Sequence, residues 1–174
     1  KHNRNLTQLS RQPSFKESSE VPLGLYLHIP FCEAICTYCN FTRGLFDSAR
    51  ARRYVTAVVE EIRRASAQLA VDTIYFGGGT PSLLEPEEVT RIIDACRSSF
   101  SVSGKAEITM ESNPESATKE RLAGYRAAGV TRLSLGVQSF RDTELVMLGR
   151  LHSSVAARRA FTFARAVGFK DVSL

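Results

Sequence analysis

Hydrophobic and polar residues follow two alternating patterns from residue 23 onward. Short apolar or β-branched runs predict strands, and each run precedes a loop and then an amphipathic stretch that predicts a helix. The predicted strands are residues 23–28, 73–76, 107–111, 132–135 and 170–174. The predicted helices are residues 49–69, 86–100, 119–128 and 154–167.

Boundary residues support this alternation. Pro86, followed by two glutamates, suits a first helical turn, whereas Gly129 and Gly168 follow predicted helices where a left-handed cap is favoured. Strands separated by helices form right-handed βαβ units with a parallel sheet. The sequence therefore predicts an α/β fold with about five parallel strands, as an open sheet or as part of a barrel.

The domain organisation follows from the same pattern. Residues 1–20 are polar, rich in Ser, Asn and Gln and without apolar periodicity, which predicts a flexible tail. Residues 21–174 are predicted to form one domain. Because Leu174 falls inside the predicted fifth strand, we expect the chain to be the N-terminal portion of a larger domain.

Composition narrows the possible partners. The net charge is +5 over 174 residues, but the first twenty residues hold four basic and two acidic side chains. The body is thus only mildly basic, and no run mixes Lys or Arg with aromatic residues, which argues against a nucleic-acid partner. No apolar run approaches the roughly 20 residues of a membrane span. We expect a cytoplasmic protein, with organelle import through the basic tail as a minor alternative.

A cysteine triplet is the strongest chemical signal. Cys32, Cys36 and Cys39 lie in the loop after the first predicted strand, whereas Cys96 falls in an apolar helical pattern typical of a buried residue. Thiolates hold iron–sulfur clusters, and three on one loop can wrap one face of a cubane while one iron stays open to a chelating ligand. A structural zinc site with His28 as a further ligand, or incidental thiols, are the alternatives.

Three further motifs follow the next strands. They are Gly-Gly-Gly-Thr-Pro at 77–81, Glu-Ser-Asn-Pro at 111–114 and Gln-Ser-Phe at 138–140. Each alone is also typical of a turn or cap, and Arg150 alone is typical of a solvated cation. Parallel sheets bind ligands at the carboxyl ends of their strands, so we expect one site at that edge.

The order and spacing of these motifs resemble the radical S-adenosylmethionine (SAM) superfamily, and within it the HemN/HemW group. The resemblance covers residues 23–174 and is carried by segments 26–32, 77–82, 111–114, 136–140 and 148–152. It implies a partial (β/α)6 barrel, a [4Fe-4S] cluster on the three cysteines, and SAM on the open iron. The reduced cluster would cleave SAM to methionine and a 5′-deoxyadenosyl radical.

The resemblance also implies the residues that contact SAM. Tyr26 and the backbone at Tyr38 would lie against SAM near the cluster. Its methionine end would meet the glycine-rich segment, and polar side chains would complete the pocket. These further residues are Gly78, Gly79, Thr80, Glu111, Gln138 and Arg150.

One position bears on function within the group. Porphyrinogen-oxidising members have a fourth cysteine where this chain has Phe41, which is similar to the HemW heme chaperones. The resemblance therefore implies heme or a porphyrin as cargo, apo-hemoproteins as acceptors and an external electron donor. Oxidative decarboxylation of coproporphyrinogen III and a zinc-binding module are the alternatives. Whether the protein is an enzyme stays open at this stage.

Overall fold

The computed structural model describes residues 21–67 and 69–174. The predicted tail at residues 1–20 lies outside the described residues, and the division of the chain after residue 20 stays a prediction. No helix within the described ranges is both long enough and apolar enough to cross a membrane.

Five parallel strands form the central sheet, and a two-stranded parallel ladder lies beside it. The predicted α/β class with about five parallel strands is therefore confirmed. The order in the main sheet is β1, β4, β5, β6 and β7, while β2 pairs with β3. The strand bounds are β1 Leu23–Ile29, β2 Phe31–Cys32, β3 Gly44–Leu45, β4 Ala70–Gly78, β5 Ser101–Ser112, β6 Arg132–Leu135 and β7 Asp171–Ser173.

The helices connect neighbouring strands of this sheet. Because each crossover between adjacent parallel strands runs in the same direction and is right-handed, the helices cover one face of the sheet. A short 3-10 turn at Pro81–Leu83 follows β4. The helix bounds are α1 Ser48–Arg64, α2 Pro86–Ser99, α3 Lys119–Ala128, α4 Asp142–Met147 and α5 Ser154–Ala166.

Local capping chemistry sets several of these ends. The side chains of Asp47, Thr118 and Ser153 accept hydrogen bonds from the first turns of α1, α3 and α5, so they satisfy amides that have no partner within the helix. Gly129 and Gly168 have φ of 110° and 95°. Both predicted left-handed glycines are therefore confirmed, because glycine alone adopts this conformation without a Cβ penalty.

Helix α1 is shorter than its prediction, which extended to residue 69. It ends at Arg64, and the chain then turns toward the end of α2, where the Ala67 amide and the Ser66 hydroxyl both donate to the Ser99 carbonyl. This tertiary contact, which the amphipathic pattern does not encode, redirects the chain into β4.

Two short features were missed by the sequence prediction. Helix α4 has only six residues and buries a single side chain, Leu145, so it lacks a periodic signal. Strands β2 and β3 have two residues each and pair across the intervening loop. Such pairing depends on contacts distant in sequence and has no local signature.

Alternate strand residues form the core beneath the helices. Ile74 and Phe76 of β4 and Met110 of β5 are at most 1% exposed and pack in one apolar cluster with the helices. Residues of opposite parity, such as Tyr75 and Glu111, lie on the other face because successive strand side chains alternate. The sheet therefore separates an apolar layer from a polar face.

A buried tyrosine fastens the segment after β4 to α3. The Tyr125 hydroxyl lies 2.7 Å from the Ser82 carbonyl oxygen and 2.9 Å from that of Leu84, and it accepts from Arg121 Nε at 3.2 Å. Burial, before any neighbouring charge, raises the pKa of Tyr125 to about 12, so the hydroxyl keeps its proton.

Tyr125→Phe is expected to lower the free energy of unfolding by about 1–3 kcal/mol, because the change removes a buried donor and leaves Arg121 Nε without its acceptor. Urea unfolding of the parent and the variant measures the difference. A variant as stable as the parent would show that the Arg121 guanidinium alone satisfies both carbonyls.

Candidate functional site

A cleft of about 560 Å³ opens at the carboxyl end of the sheet. The register aligns the ends of the strands there, since Ile29 pairs with Gly78 and Ser112 pairs with Leu135. Tyr26, by contrast, is not among the residues that line the cleft. The predicted site residues that line it are Cys32, Cys36, Cys39, Tyr38, Gly78, Gly79, Thr80, Glu111, Gln138 and Arg150.

The loop between β2 and β3 carries the three cysteines, and backbone pairing holds both its ends. The Gly44 amide donates to the Pro30 carbonyl at 2.8 Å, and the Phe46 amide donates to the Cys32 carbonyl at 2.9 Å. Within the loop, the Cys39 amide donates to the Cys36 carbonyl at 3.3 Å. The three free thiols consequently face one cleft.

His28 also holds this loop. Its Nε2 lies 2.9 Å from the Thr42 carbonyl oxygen, which can only accept, so Nε2 carries the hydrogen. Its Nδ1 is then free to accept from the Tyr26 hydroxyl at 3.3 Å. Both ring nitrogens thus have hydrogen-bond partners within the protein. His28 therefore anchors the loop, and neither nitrogen is free to act as a further metal ligand.

Among the described residues, no three His, Cys, Asp or Glu side chains are grouped so as to hold a single metal ion.

Gly79 packs against the cysteine loop at van der Waals distance. Its amide donates to the Ile29 carbonyl at 2.8 Å. A Cβ placed on Gly79 would lie 2.5 Å from the Phe31 carbonyl oxygen and 3.0 Å from Cys32 Sγ. Only glycine leaves room here, which explains part of the triple-glycine motif.

Thr80 joins the cysteine loop to β5. Its hydroxyl is 3.8 Å from Cys32 Sγ, and it accepts from Asn113 Nδ2 at 3.0 Å. Burial is the main cause that raises the pKa of the Cys32 thiol, and the Thr80 hydroxyl acts in the opposite direction. A bound cation such as iron would be needed to favour the thiolate at this position.

The carboxylate of Glu111 is held at the wall of the cleft. It accepts from the Tyr75 hydroxyl at 2.8 Å and from the Gly78 amide at 3.1 Å. Burial, followed by this hydrogen bond to Glu111, raises the pKa of Tyr75 to about 12. Sequence analysis missed Tyr75, although its strand parity, opposite to Ile74 and Phe76, was a usable signal.

Arg150 joins three loops of the cleft. Its Nη2 donates to Asn113 Oδ1 at 2.7 Å and to the Gly136 carbonyl at 2.8 Å. Its Nη1 lies 3.4 Å from both Cys36 Sγ and the Tyr38 hydroxyl. Burial lowers its pKa, but Glu115 and Tyr38 outweigh that effect and the guanidinium stays charged. The solvated-cation alternative is therefore wrong for Arg150.

Glu115 and His152 form a buried pair next to this arginine. His152 Nδ1 lies 3.2 Å from Glu115 Oε2, and the imidazole side chain is 0% exposed. Burial raises the pKa of Glu115, but the His152 hydrogen bond and the nearby Arg150 charge outweigh it and hold that pKa below the ordinary 4.5. Neither residue of this pair was singled out from the sequence.

This pair predicts a pH-dependent stability. Because the folded-state pKa of Glu115 is lowered, its contribution is fully present above pH 4.5 and is lost as the pH falls through the folded-state value. We expect the difference in free energy of unfolding between the parent and Glu115→Gln to shrink as the pH falls below 4.5. Urea unfolding across this pH range measures it, and a difference independent of pH would contradict the assignment.

The donor set suits an iron–sulfur cluster with a small zwitterionic ligand beside it. The three cysteines of one loop line the cleft, and the missing Cβ of Gly79 lets Cys32 pack close to the glycine-rich segment. Glu111 supplies an anionic wall and Arg150 a cationic one. Such opposite charges match an ammonium and a carboxylate on one ligand.

Comparison with known proteins agrees with this arrangement. The sequence of this chain matches the family model of the radical SAM superfamily over residues 26–174. The chain is 40% identical over 157 residues to mouse radical S-adenosyl methionine domain-containing protein 1, mitochondrial, covering 88% of this chain and 36% of the relative. It is 43% identical over 159 residues to the heme chaperone HemW of Mycobacterium tuberculosis, covering 88% of this chain and 41% of the relative.

A solved structure has the same fold. The chain superimposes on the coproporphyrinogen III oxidase HemN of Escherichia coli, described as a radical SAM enzyme, with a TM-score of 0.81 and 31% identity. The match covers 88% of this chain and 36% of HemN. The chain thus spans well under half the length of the relatives it matches.

Proposed function

Because this chain belongs to the radical SAM superfamily, within its HemN/HemW group, we propose that Cys32, Cys36 and Cys39 hold a [4Fe-4S] cluster and that SAM binds beside it. The observation that carries the proposal is the shared cleft, in which all three thiols face Glu111 and Arg150. When bound, the cluster would supply the electron for the reductive cleavage of SAM.

The chain's own residues bind and orient SAM in this proposal. Gly79 lets its segment pack directly against Phe31 and Cys32 because it has no side chain, which sets the position of the first thiol. Glu111 is already oriented by Tyr75 and Gly78, so its remaining lone pairs face outward to accept from an ammonium or hydroxyl group. Arg150 adds a positive charge for a carboxylate. Holding these groups before the ligand arrives reduces the entropy cost of binding.

Tyr26 has a separate position in this scheme. Its ring is stacked on Tyr75 with centroids 6.0 Å apart, and it is 58% exposed at the edge strand β1. We assign it contact with SAM from that edge, next to the residues that line the cleft. Tyr38 contributes through its backbone on the opposite side.

Binding of SAM is tested on the full-length protein after anaerobic reconstitution with iron and sulfide. Arg150→Met is expected to weaken SAM binding about 10- to 100-fold in calorimetry, because hydrogen bonds to charged groups contribute about 1.5–3 kcal/mol. Arg159→Met, which changes an exposed arginine of α5, is the matched control and should bind as the parent does. Equal affinities for all three proteins would reject this role, and a reconstituted parent with no affinity would reject the proposed cofactor.

For the whole protein we propose a part in heme trafficking, with heme as cargo, apo-hemoproteins as acceptors and an external electron donor. Phe41, which stands where porphyrinogen-oxidising members have a fourth cysteine, lines the cleft and is 66% exposed. The name of the Mycobacterium tuberculosis relative, heme chaperone HemW, supports this choice. The mitochondrial label of the mouse relative supports an organelle location, and the cytoplasmic location stays a prediction from the sequence.

Heme titration of the full-length protein tests this proposal. We expect stoichiometric heme binding and transfer of the heme to an apo-hemoprotein. Both are measured by the visible absorbance of the heme. The absence of both would reject the chaperone function.

Oxidation of coproporphyrinogen III is the second candidate, because the structural neighbour HemN is a coproporphyrinogen III oxidase. An anaerobic assay with SAM and a reductant would detect protoporphyrinogen IX by its fluorescence after oxidation. We expect no conversion, and conversion would replace heme trafficking as the proposed function.

A further inference from the structure

The loop after β6 makes an unusually tight turn at Gln138. With φ of 65°, Gln138 is the one non-glycine residue with positive φ in the described ranges. The Ser139 amide donates to the Val137 carbonyl at 2.8 Å, so the hydrogen bond spans a single residue. A γ-turn with positive φ at its centre is the rare and strained form, and its cost has to be met by surrounding contacts.

His152 supplies such a contact. Its Nε2 lies 3.1 Å from the same Val137 carbonyl oxygen, while its Nδ1 lies 3.2 Å from Glu115 Oε2. Both partners only accept, because one is a carbonyl and the lowered pKa of Glu115 keeps it ionised. The His152 ring is thus held between the Val137 carbonyl and the Glu115 carboxylate, with Nε2 donating to the carbonyl.

The Gly136 carbonyl, which precedes that of Val137, is held by the same segment of the chain. Arg150 Nη2 donates to the Gly136 carbonyl at 2.8 Å. His152, two residues further along the chain, binds the Val137 carbonyl. Two side chains thus hold consecutive carbonyls of the loop that presents Gln138. The His152 side chain is 0% exposed and that of Glu115 is 18% exposed, so these hydrogen bonds lie in a largely buried region, where they are stronger than in water.

We propose that Glu115 and His152 are positioning residues, which hold the strained turn so that the Gln138 side chain faces the SAM pocket. The inference rests on the proposed function because it assigns Gln138 to the SAM site. Neither residue lines the cleft. Their effect on SAM passes through the Val137 carbonyl and the turn that it closes.

Two amide variants of His152 separate positioning from packing. The side-chain nitrogen of Gln reaches the place of Nε2, so His152→Gln keeps a donor for Val137. The nitrogen of Asn reaches only the place of Nδ1, so His152→Asn loses that donor. We expect His152→Asn to weaken SAM binding about tenfold and His152→Gln to stay within about threefold of the parent, in line with the coupling energies of contacting residues.

Coupling to Gln138 provides the decisive comparison on the reconstituted full-length protein. The loss caused by His152→Asn should disappear when Gln138→Ala is already present, because the turn then has no side chain to position. Glu115→Gln keeps an acceptor for His152 Nδ1 and should therefore weaken SAM binding less than His152→Asn does. Equal losses of affinity in both backgrounds would overturn the proposal, as would equal effects of the Asn and Gln variants.

Hydrogen exchange of the cofactor-free full-length chain gives a second readout. In His152→Asn, the peptide spanning 136–140 should exchange faster than in the parent or in His152→Gln, while the peptide of α2 should be unchanged. Unchanged exchange at 136–140 would overturn the proposal. If the parent fails to bind SAM, the proposed function fails, and this measurement still decides whether His152 holds the turn.

Discussion

Cys36→Ala in the full-length protein is expected to abolish assembly of the iron–sulfur cluster. The three thiols of one loop face a single cleft, so removing one leaves a cubane with two protein ligands. Arg150 Nη1, which lies 3.4 Å from Cys36 Sγ, would also lose that contact and keep the one with the Tyr38 hydroxyl. Iron and sulfide content after anaerobic reconstitution, together with the broad visible absorbance, should fall to the level of the unreconstituted protein.

Cys96→Ala is the matched control for this experiment. Cys96 lies on α2, is 0% exposed, and burial raises the pKa of its thiol to about 11, so the thiol stays protonated. Its loss should cost about 1 kcal/mol of stability through reduced packing and leave cluster content unchanged. A Cys36→Ala protein that retains iron and sulfide would contradict the cluster assignment, and zinc as the only bound metal in the parent would favour the structural-zinc alternative.

Gly79→Ala is expected to impair both stability and cluster assembly. The added Cβ would meet the Phe31 carbonyl oxygen at 2.5 Å and the Phe31 amide nitrogen at 2.9 Å, and these backbone atoms cannot rotate away. Displacing that strand also displaces Cys32, whose Sγ would lie 3.0 Å from the new methyl group. Overpacking of this kind costs about 1–3 kcal/mol. Urea unfolding and iron content after reconstitution measure the two effects.

Gly104→Ala is the control for Gly79→Ala. A Cβ at Gly104 meets no atom within 4 Å, and the residue lies in the exposed first half of β5. This variant should be as stable as the parent or slightly more stable, because alanine loses less backbone entropy on folding. Gly79→Ala with parental stability and parental iron content would show that the cysteine loop moves freely, against the packing described for it.

Much of the fold followed from the hydrophobic pattern. The pattern predicted β6 and α3 with their observed bounds, and it identified β1, β4, β5 and β7 with errors at their ends. These elements were readable because each buries one face against the same core, so the periodicity reports the fold directly. Helix α1 was predicted too long, and the contact of Ala67 with Ser99 shows why local periodicity alone does not end a helix.

The candidate site was only partly readable. The cysteine triplet and the glycine-rich segment that contains Gly79 were recognised because such clusters of cysteine or glycine are uncommon in a sequence. Tyr75 was missed, and Asn113 and His152 lay inside quoted motifs without a role of their own, since each acts through a partner that lies distant in sequence. Which of the residues that line the cleft contact SAM stays a proposal.

Three features were predictable from the sequence alone. They are the α/β class, the parallel direction of the strands and the place of the cysteine loop after the first strand. These depend on periodicity and on short-range residue identity, which one chain displays without its neighbours. Only the tertiary structure decided that Glu111 is oriented by Tyr75, that Arg150 joins three loops, and that a Glu115–His152 pair holds the Val137 carbonyl. Those contacts join residues 15 to 37 positions apart, and hydrogen bonding at such separations depends on how the strands pair in the sheet, not on local sequence.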